Sequence, residues 1–144
     1  MPNKALRILI ADEQHFHRMK IERLFNQLGY YRVAPVQGLA PMLCLVEYGC
    51  EPFDLVVVNA SLVCGELDVL GYFLDNLQVR NALIFDGQRA HLPPTPAGGT
   101  QRVQVSHAPL PDLTCIQRLM TMIDPPLSED QYPWLSVRSA QTVG

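Results

Sequence analysis

Asp54-Leu55-Val56-Val57-Val58-Asn59 is the most strand-like stretch of the chain: β-branched, uninterrupted and closed by a polar amide. A strand with one wet face alternates apolar and polar residues, whereas a run that is apolar throughout suits a parallel sheet covered on both faces. N-terminal to it, Arg7-Ile8-Leu9-Ile10-Ala11 is another short apolar run. His15 to Leu28 comes next, with Phe16, Met19, Ile21, Leu24, Phe25 and Leu28 at roughly helical spacing and Gly29 as the stop. Tyr31 to Val36 reads as a second strand. Leu39 to Tyr48 reads as a second helix, with Pro41 in the first turn, where its missing N–H is tolerated, and Gly49 closing it.

The same alternation continues on the C-terminal side. Glu66 to Leu77 reads as a third helix with Leu67, Leu70, Phe73, Leu74 and Leu77 on one side, and Asn81 to Phe85 as a fourth strand. Arg102 to Ser106 is a weaker fifth strand, and Leu113 to Ile123 a last amphipathic helix. Repeated strand–helix alternation implies an α/β fold with a parallel sheet and right-handed crossovers. One helix is missing from the series: Gly87 to Gln101 holds Pro93, Pro94, Pro96 and the pair Gly98-Gly99, which oppose a regular helix beyond a short initial turn. Residues 1–124 therefore form the expected domain. Residues 125–144, with Pro125, Pro126, Pro133 and the lone Trp134, read as an irregular tail.

With 144 residues, 48% apolar and 17% charged, the chain suits one globular core. A net charge of −3 without a run of Lys or Arg gives no electrostatic footprint for nucleic acid or an anionic membrane surface. No segment reaches the roughly 20 apolar residues that span a bilayer. The first apolar run is too short for the core of a signal peptide, so a cytoplasmic location is expected. Cys44, Cys50, Cys64 and Cys115 form no C-x-x-C pair and have no His at zinc-finger spacing, so reduced, mostly buried thiols are expected.

Four segments, taken together, carry a likeness. Arg7-Ile-Leu-Ile-Ala-Asp12-Glu13, Pro52-Phe-Asp-Leu-Val-Val-Val58, Ala82-Leu-Ile-Phe85 and Ser106-His-Ala-Pro-Leu110 resemble, in order and spacing over about residues 5 to 124, the response-regulator receiver family of two-component phosphorelays. The resemblance implies a doubly wound, five-stranded parallel sheet of order 2-1-3-4-5, with the helix after the fourth strand shortened or replaced by the Pro/Gly-rich loop. It places the functional site in the crevice at the carboxyl ends of the strands.

Checked position by position, the resemblance is to a degenerate receiver. Asp12 and Glu13 match the acidic pair that holds a divalent cation, so Mg²⁺ binding is conceivable though not required. Asn59 stands at the phospho-acceptor position, and a carboxamide cannot form an acyl phosphate. Asp86 replaces the Thr or Ser that would bond the phosphoryl group, and an ionised carboxylate accepts hydrogen bonds and repels phosphate. Ala108, before Pro109, replaces the lysine, although His107 next to it would be a weak cationic substitute if it pointed inward. Val105 stands at the aromatic switch position.

These losses imply an atypical receiver that is not an enzyme and acts as a phosphorylation-independent protein-interaction module. Its partners would be a kinase, a regulator, an effector or a second copy of itself. Two alternatives stay open: phosphotransfer on a nonstandard acceptor, with Asp86 the nearest carboxylate, and cation or small-ligand sensing by Asp12, Glu13 and Asp86 with the Asn59 amide oxygen.

Other motifs carry less. His15 and His17 diverge on a helix, cannot share one ion, and read as surface histidines. Gly98-Gly99-Thr100 lacks the lysine and spacing of a phosphate-binding loop, and no nucleophile elbow is present. The segment Gly87 to Gln101 reads either as an extended docking element or as a plain loop. Tyr132-Pro133-Trp134-Leu135 reads as a partner anchor, as a cluster folded back on its own domain, or as the start of a linker.

Overall fold

A computed structural model describes residues 3–62, 69–76, 78–90, 92–95 and 101–125. Five strands, β1 (Ile8–Ala11), β2 (Val33–Val36), β3 (Leu55–Asn59), β4 (Ala82–Phe85) and β5 (Val103–Val105), form one sheet. Their order is β2-β1-β3-β4-β5 and every pairing is parallel. Four α-helices flank it among the described residues: α1 (His15–Gln27), α2 (Leu39–Tyr48), α3 (Val69–Asp75) and α4 (Leu113–Ile123). The expected α/β architecture of order 2-1-3-4-5 is therefore present, with a flavodoxin-like arrangement. Among its described residues the loop after β4 contains a short 3₁₀ turn, Gly87–Ala90, and no α-helix.

Successive side chains of each strand point to opposite faces, so one sheet serves two cores. Ile8, Ile10, Leu55, Val57, Leu83 and Phe85 pack with Ile21 and Phe25 of α1 and with Ile116, Leu119 and Met120 of α4. Leu9, Ala11, Val56, Val58, Ala82 and Ile84 face Met42 and Val46 of α2 and Phe73 of α3. Strands β1, β3 and β4 are buried at every position, which is why they read as continuous apolar runs.

Local chemistry explains the ends of the helices. Gly29 has φ 95°, and the N–H groups of Gly29 and Tyr30 bond the carbonyls of Asn26 and Phe25. This is the Schellman closure that a left-handed glycine permits. Gly49 ends α2 for a different reason: its backbone is extended, and a Cβ there would lie 2.5 Å from the Leu45 carbonyl oxygen. Asp112 caps α4 by accepting from the Cys115 N–H at 2.8 Å.

Three expectations change. Cys44 and Cys50 are exposed and Cys115 is half-buried, because α2 turns Met42 and Val46 inward and leaves Cys44 on the opposite side. Cys64 lies outside the described residues, as do Glu66, Leu67 and Leu77 of the expected third helix and the whole tail after Pro125. Leu74 is exposed, and among the described side chains of α3 Phe73 is buried in the core with Tyr72 packed against it. Finally, residues 92–95 run beside β5: the Thr95 N–H bonds the Val105 carbonyl at 2.9 Å, and the Val105 N–H bonds Thr95 Oγ1 at 2.8 Å.

Candidate functional site: the carboxyl ends of β1, β3 and β4

Parallel register brings these three ends into line. Ala11 pairs with Val58, and Asn59 with Phe85, so Asp12, Asn59 and Asp86 stand at the same edge of the sheet. The Asp12 N–H still reaches the Val36 carbonyl at 3.1 Å, which holds the residue at the end of β1 before the chain turns into α1. Asp12 and Asn59 are the two buried polar residues among those described, 1% and 4% exposed. A buried carboxylate demands hydrogen-bond donors, and here it has three.

Asp12 Oδ1 accepts from the Gln14 N–H at 2.8 Å. Asp12 Oδ2 accepts from Asn59 Nδ2 at 3.0 Å and lies 2.9 Å from His17 Nδ1. An ionised carboxylate only accepts, so Nδ1 is the protonated nitrogen of the ring in either charge state. Asn59 Oδ1 in turn accepts from the Ser61 N–H at 2.9 Å and starts the 3₁₀ turn Ala60–Leu62. The two partners fix the orientation of the amide, since a carboxylate requires its nitrogen and a backbone N–H requires its oxygen. Arg18 Nη1 binds the carbonyls of Asp12 and Glu13 at 2.7 and 3.0 Å, clamping the turn from outside.

The expected cation ligands thus separate. Asp12 is buried within N–H donors, whereas the Glu13 side chain is exposed. Among the described residues no group of three or more His, Cys, Asp or Glu side chains is placed to hold a metal ion. A hard divalent cation needs several converging oxygens, and the atoms converging on Asp12 are two side-chain nitrogens and a backbone N–H. This donor set does not fit Mg²⁺.

The remaining expected positions form a second cluster. Asp86 takes φ 57°, a left-handed conformation that Asp tolerates better than most residues. Its N–H bonds the Ala108 carbonyl at 2.8 Å, and the Gly87 N–H bonds the Ser106 carbonyl at 2.9 Å, tying the loops after β4 and β5 together. Ala108 is exposed and contributes its backbone. His107 is also exposed, and its Nε2 lies 2.5 Å from the Leu92 carbonyl, so the ring is engaged away from Asp12. Val105 is buried, and a Cβ on Gly87 would come 2.5 Å from its Cγ1. At this position the side chain packs tightly against the backbone of Gly87.

His17 and Arg18 join the site without having been expected there. The spacing of His15 and His17 bears on whether two helix positions could share one ion; the partner of His17 is instead the carboxylate one turn earlier, before the helix begins. A buried Asp at a strand end with a His five residues on is the signal the sequence offers. The side chain of His17 is 21% exposed, so it is half-buried rather than a surface histidine. Comparisons of the chain with protein families, with curated proteins and with solved structures find no match.

Proposed function

We propose that this chain is a receiver-like domain of two-component signalling that works by constitutive protein contact instead of phosphoryl transfer. The observation that carries the reading is the closed network Asn59–Asp12–His17. At the end of β3, where the receiver likeness requires a nucleophilic carboxylate, a carboxamide donates to Asp12 at 3.0 Å. The same Asp12 oxygen, where that chemistry requires a cation, also meets an imidazole N–H at 2.9 Å. The carboxylate that would hold a cation in that chemistry is satisfied here by N–H groups. The domain is then a fixed scaffold in the cytoplasm, and its partner is a protein: a kinase, a regulator, an effector or a second copy.

The sheet edges point to the helices as the contact surface. The β5 edge is occupied by Thr95, and the β2 edge carries Pro35, which cannot donate to an added strand. No helix among the described residues is long and apolar enough to cross a membrane, and the net charge of −3 does not favour nucleic acid.

Incubation with Mg²⁺ and acetyl phosphate, read by intact mass, tests this reading. The parent chain is expected to gain no phosphoryl group. A stoichiometric adduct would overturn the proposal, and one mapped to Asp86 would establish a nonstandard acceptor in its place.

A further inference from the structure

Helix α1 buries Ile21 and Phe25 and presents a second stripe to solvent. Phe16, Met19, Lys20, Arg23, Leu24 and Gln27 line a groove of about 290 Å³ along it. Their spacing, i, i+3, i+4, i+7, i+8 and i+11, is that of a helix seam rather than of scattered surface residues. A helix needs one apolar stripe to hold its place in a fold. Ile21 and Phe25 supply it here, with Leu24 at the boundary, whereas Phe16 and Met19 join neither core. Phe16 is 61% exposed and Met19 37%, although burial of either would be favourable.

The charge of this helix is the reverse of the molecule's. Arg18, Lys20 and Arg23 against Glu22 give α1 a formal charge of +2, in a chain of −3 that therefore carries −5 elsewhere. Lys20 and Arg23 are both exposed, and neither is in an ion pair among the described residues. Lys20 Nζ instead lies 5.5 Å from the centre of the Phe16 ring. None of the residues lining the groove is acidic.

We infer that this stripe docks an acidic amphipathic helix of another protein, laid along α1 with its apolar side chains on Phe16, Met19 and Leu24 and its carboxylates beside Lys20 and Arg23. The seam spacing selects a helix over an extended strand, because side chains at i, i+3 and i+7 of one helix meet the same series on its neighbour. The cations without ion pairs select acids. Phe16 to Gln27 rises about 16 Å, so a partner helix of about three turns covers the stripe. A second copy, with α1 set against α1, is the poorer occupant, since it brings Lys20 and Arg23 against like charges. An anionic bilayer attracts the two cations, but the −5 on the rest of the chain opposes approach to it. The partner is a protein on the contact reading above, and nothing in its docking draws on Asn59.

Two fluorescein-labelled synthetic helices of about 18 residues serve as probes, one with Leu along one face and Glu on either side of it, the other with Lys in place of Glu. Titration with the full chain, read by anisotropy, is expected to show saturable binding of the Glu helix and at least about tenfold weaker binding of the Lys helix. The paired substitutions Lys20→Glu and Arg23→Glu, at exposed positions, are expected to reverse that preference with far-UV dichroism unchanged. Phe16→Ala, also at an exposed position, is expected to weaken the Glu helix by about tenfold through lost apolar contact. Backbone amide signals of α1 are expected to move during the titration. Absence of saturable binding, a preference that survives the charge reversal, or shifts confined to other elements would overturn the proposal. Binding of the parent to phosphatidylserine vesicles with neither helix bound would overturn it in favour of a lipid surface. None of these readouts involves phosphoryl transfer, so an adduct at Asp86 would overturn the contact reading and leave the result at the groove standing.

Discussion

Asn59 gives its Nδ2–H to Asp12 and its Oδ1 to the Ser61 N–H, so an acid of the same shape cannot replace it without consequence. In Asn59→Asp two carboxylates would meet at about the present 3.0 Å separation with no cation between them. One of the pair would then have a folded-state pKa raised above its unfolded value. The resulting penalty is absent at low pH, where that carboxyl is protonated in both states, and develops as pH rises through the carboxylate range. We predict a loss of about 1–3 kcal/mol at neutral pH in urea unfolding, shrinking on acidification. Mg²⁺ should recover part of it by supplying the missing positive charge. His17→Ala removes a different part of the network, leaving buried Asp12 without its imidazole partner. It should cost about 1–3 kcal/mol, while His15→Ala, at an exposed position, should cost under about 0.5. Asp12 and Asn59 were legible in the sequence because each ends an apolar strand. His17 was not, because its role depends on how the start of α1 folds back over β1, a tertiary relation that helix periodicity does not contain.

Among the elements, the edge strand β5 has an outward-facing backbone donor that is met by a side chain. Its buried Val105 N–H is satisfied by Thr95 Oγ1, so Thr95→Val should leave that donor unpaired and destabilise the fold by about 1–2 kcal/mol. Thr95→Ser, which keeps the oxygen, should be close to the parent, and amide exchange at Val105 distinguishes the two variants. Helix α4 offers a parallel case, since its start rests on Asp112 accepting from the Cys115 N–H. Asp112→Ala should cost about 1 kcal/mol in the same assay. Helix and strand order was readable because α1 and α4 carry amphipathic spacing and β1, β3 and β4 are apolar throughout. The path of residues 92–95 along β5 was not readable. Prolines exclude a helix there, but they do not say that a threonine hydroxyl will substitute for a strand's carbonyl.

Across the whole molecule, two tyrosines join distant parts of the chain. Tyr30 bonds Asp124 after α4, and Tyr72 of α3 bonds Glu47 of α2 at 3.1 Å. Burial and the neighbouring carboxylate hold the Tyr30 phenol well above its usual range, and the same two causes push Tyr72 up to about 12. A phenol with a raised folded-state pKa adds stability that is complete below its unfolded value of 10.0 and is lost as pH rises through the folded one. Alkaline unfolding is therefore expected to set in above pH 10 and steepen toward pH 12, and Tyr30→Phe should flatten part of that slope. The domain that these contacts close has the strand order β2-β1-β3-β4-β5 around a crevice whose central carboxylate is already satisfied. Asn59 side-chain amide and His17 ring signals, tracked by ¹⁵N NMR while Mg²⁺ is added, examine that crevice at its own atoms. Signals that keep their positions, beyond the weak drift caused by ionic strength, are the predicted result. A saturable displacement of the Asn59 and His17 signals together would show that the cation enters and opens the network, and would contradict it.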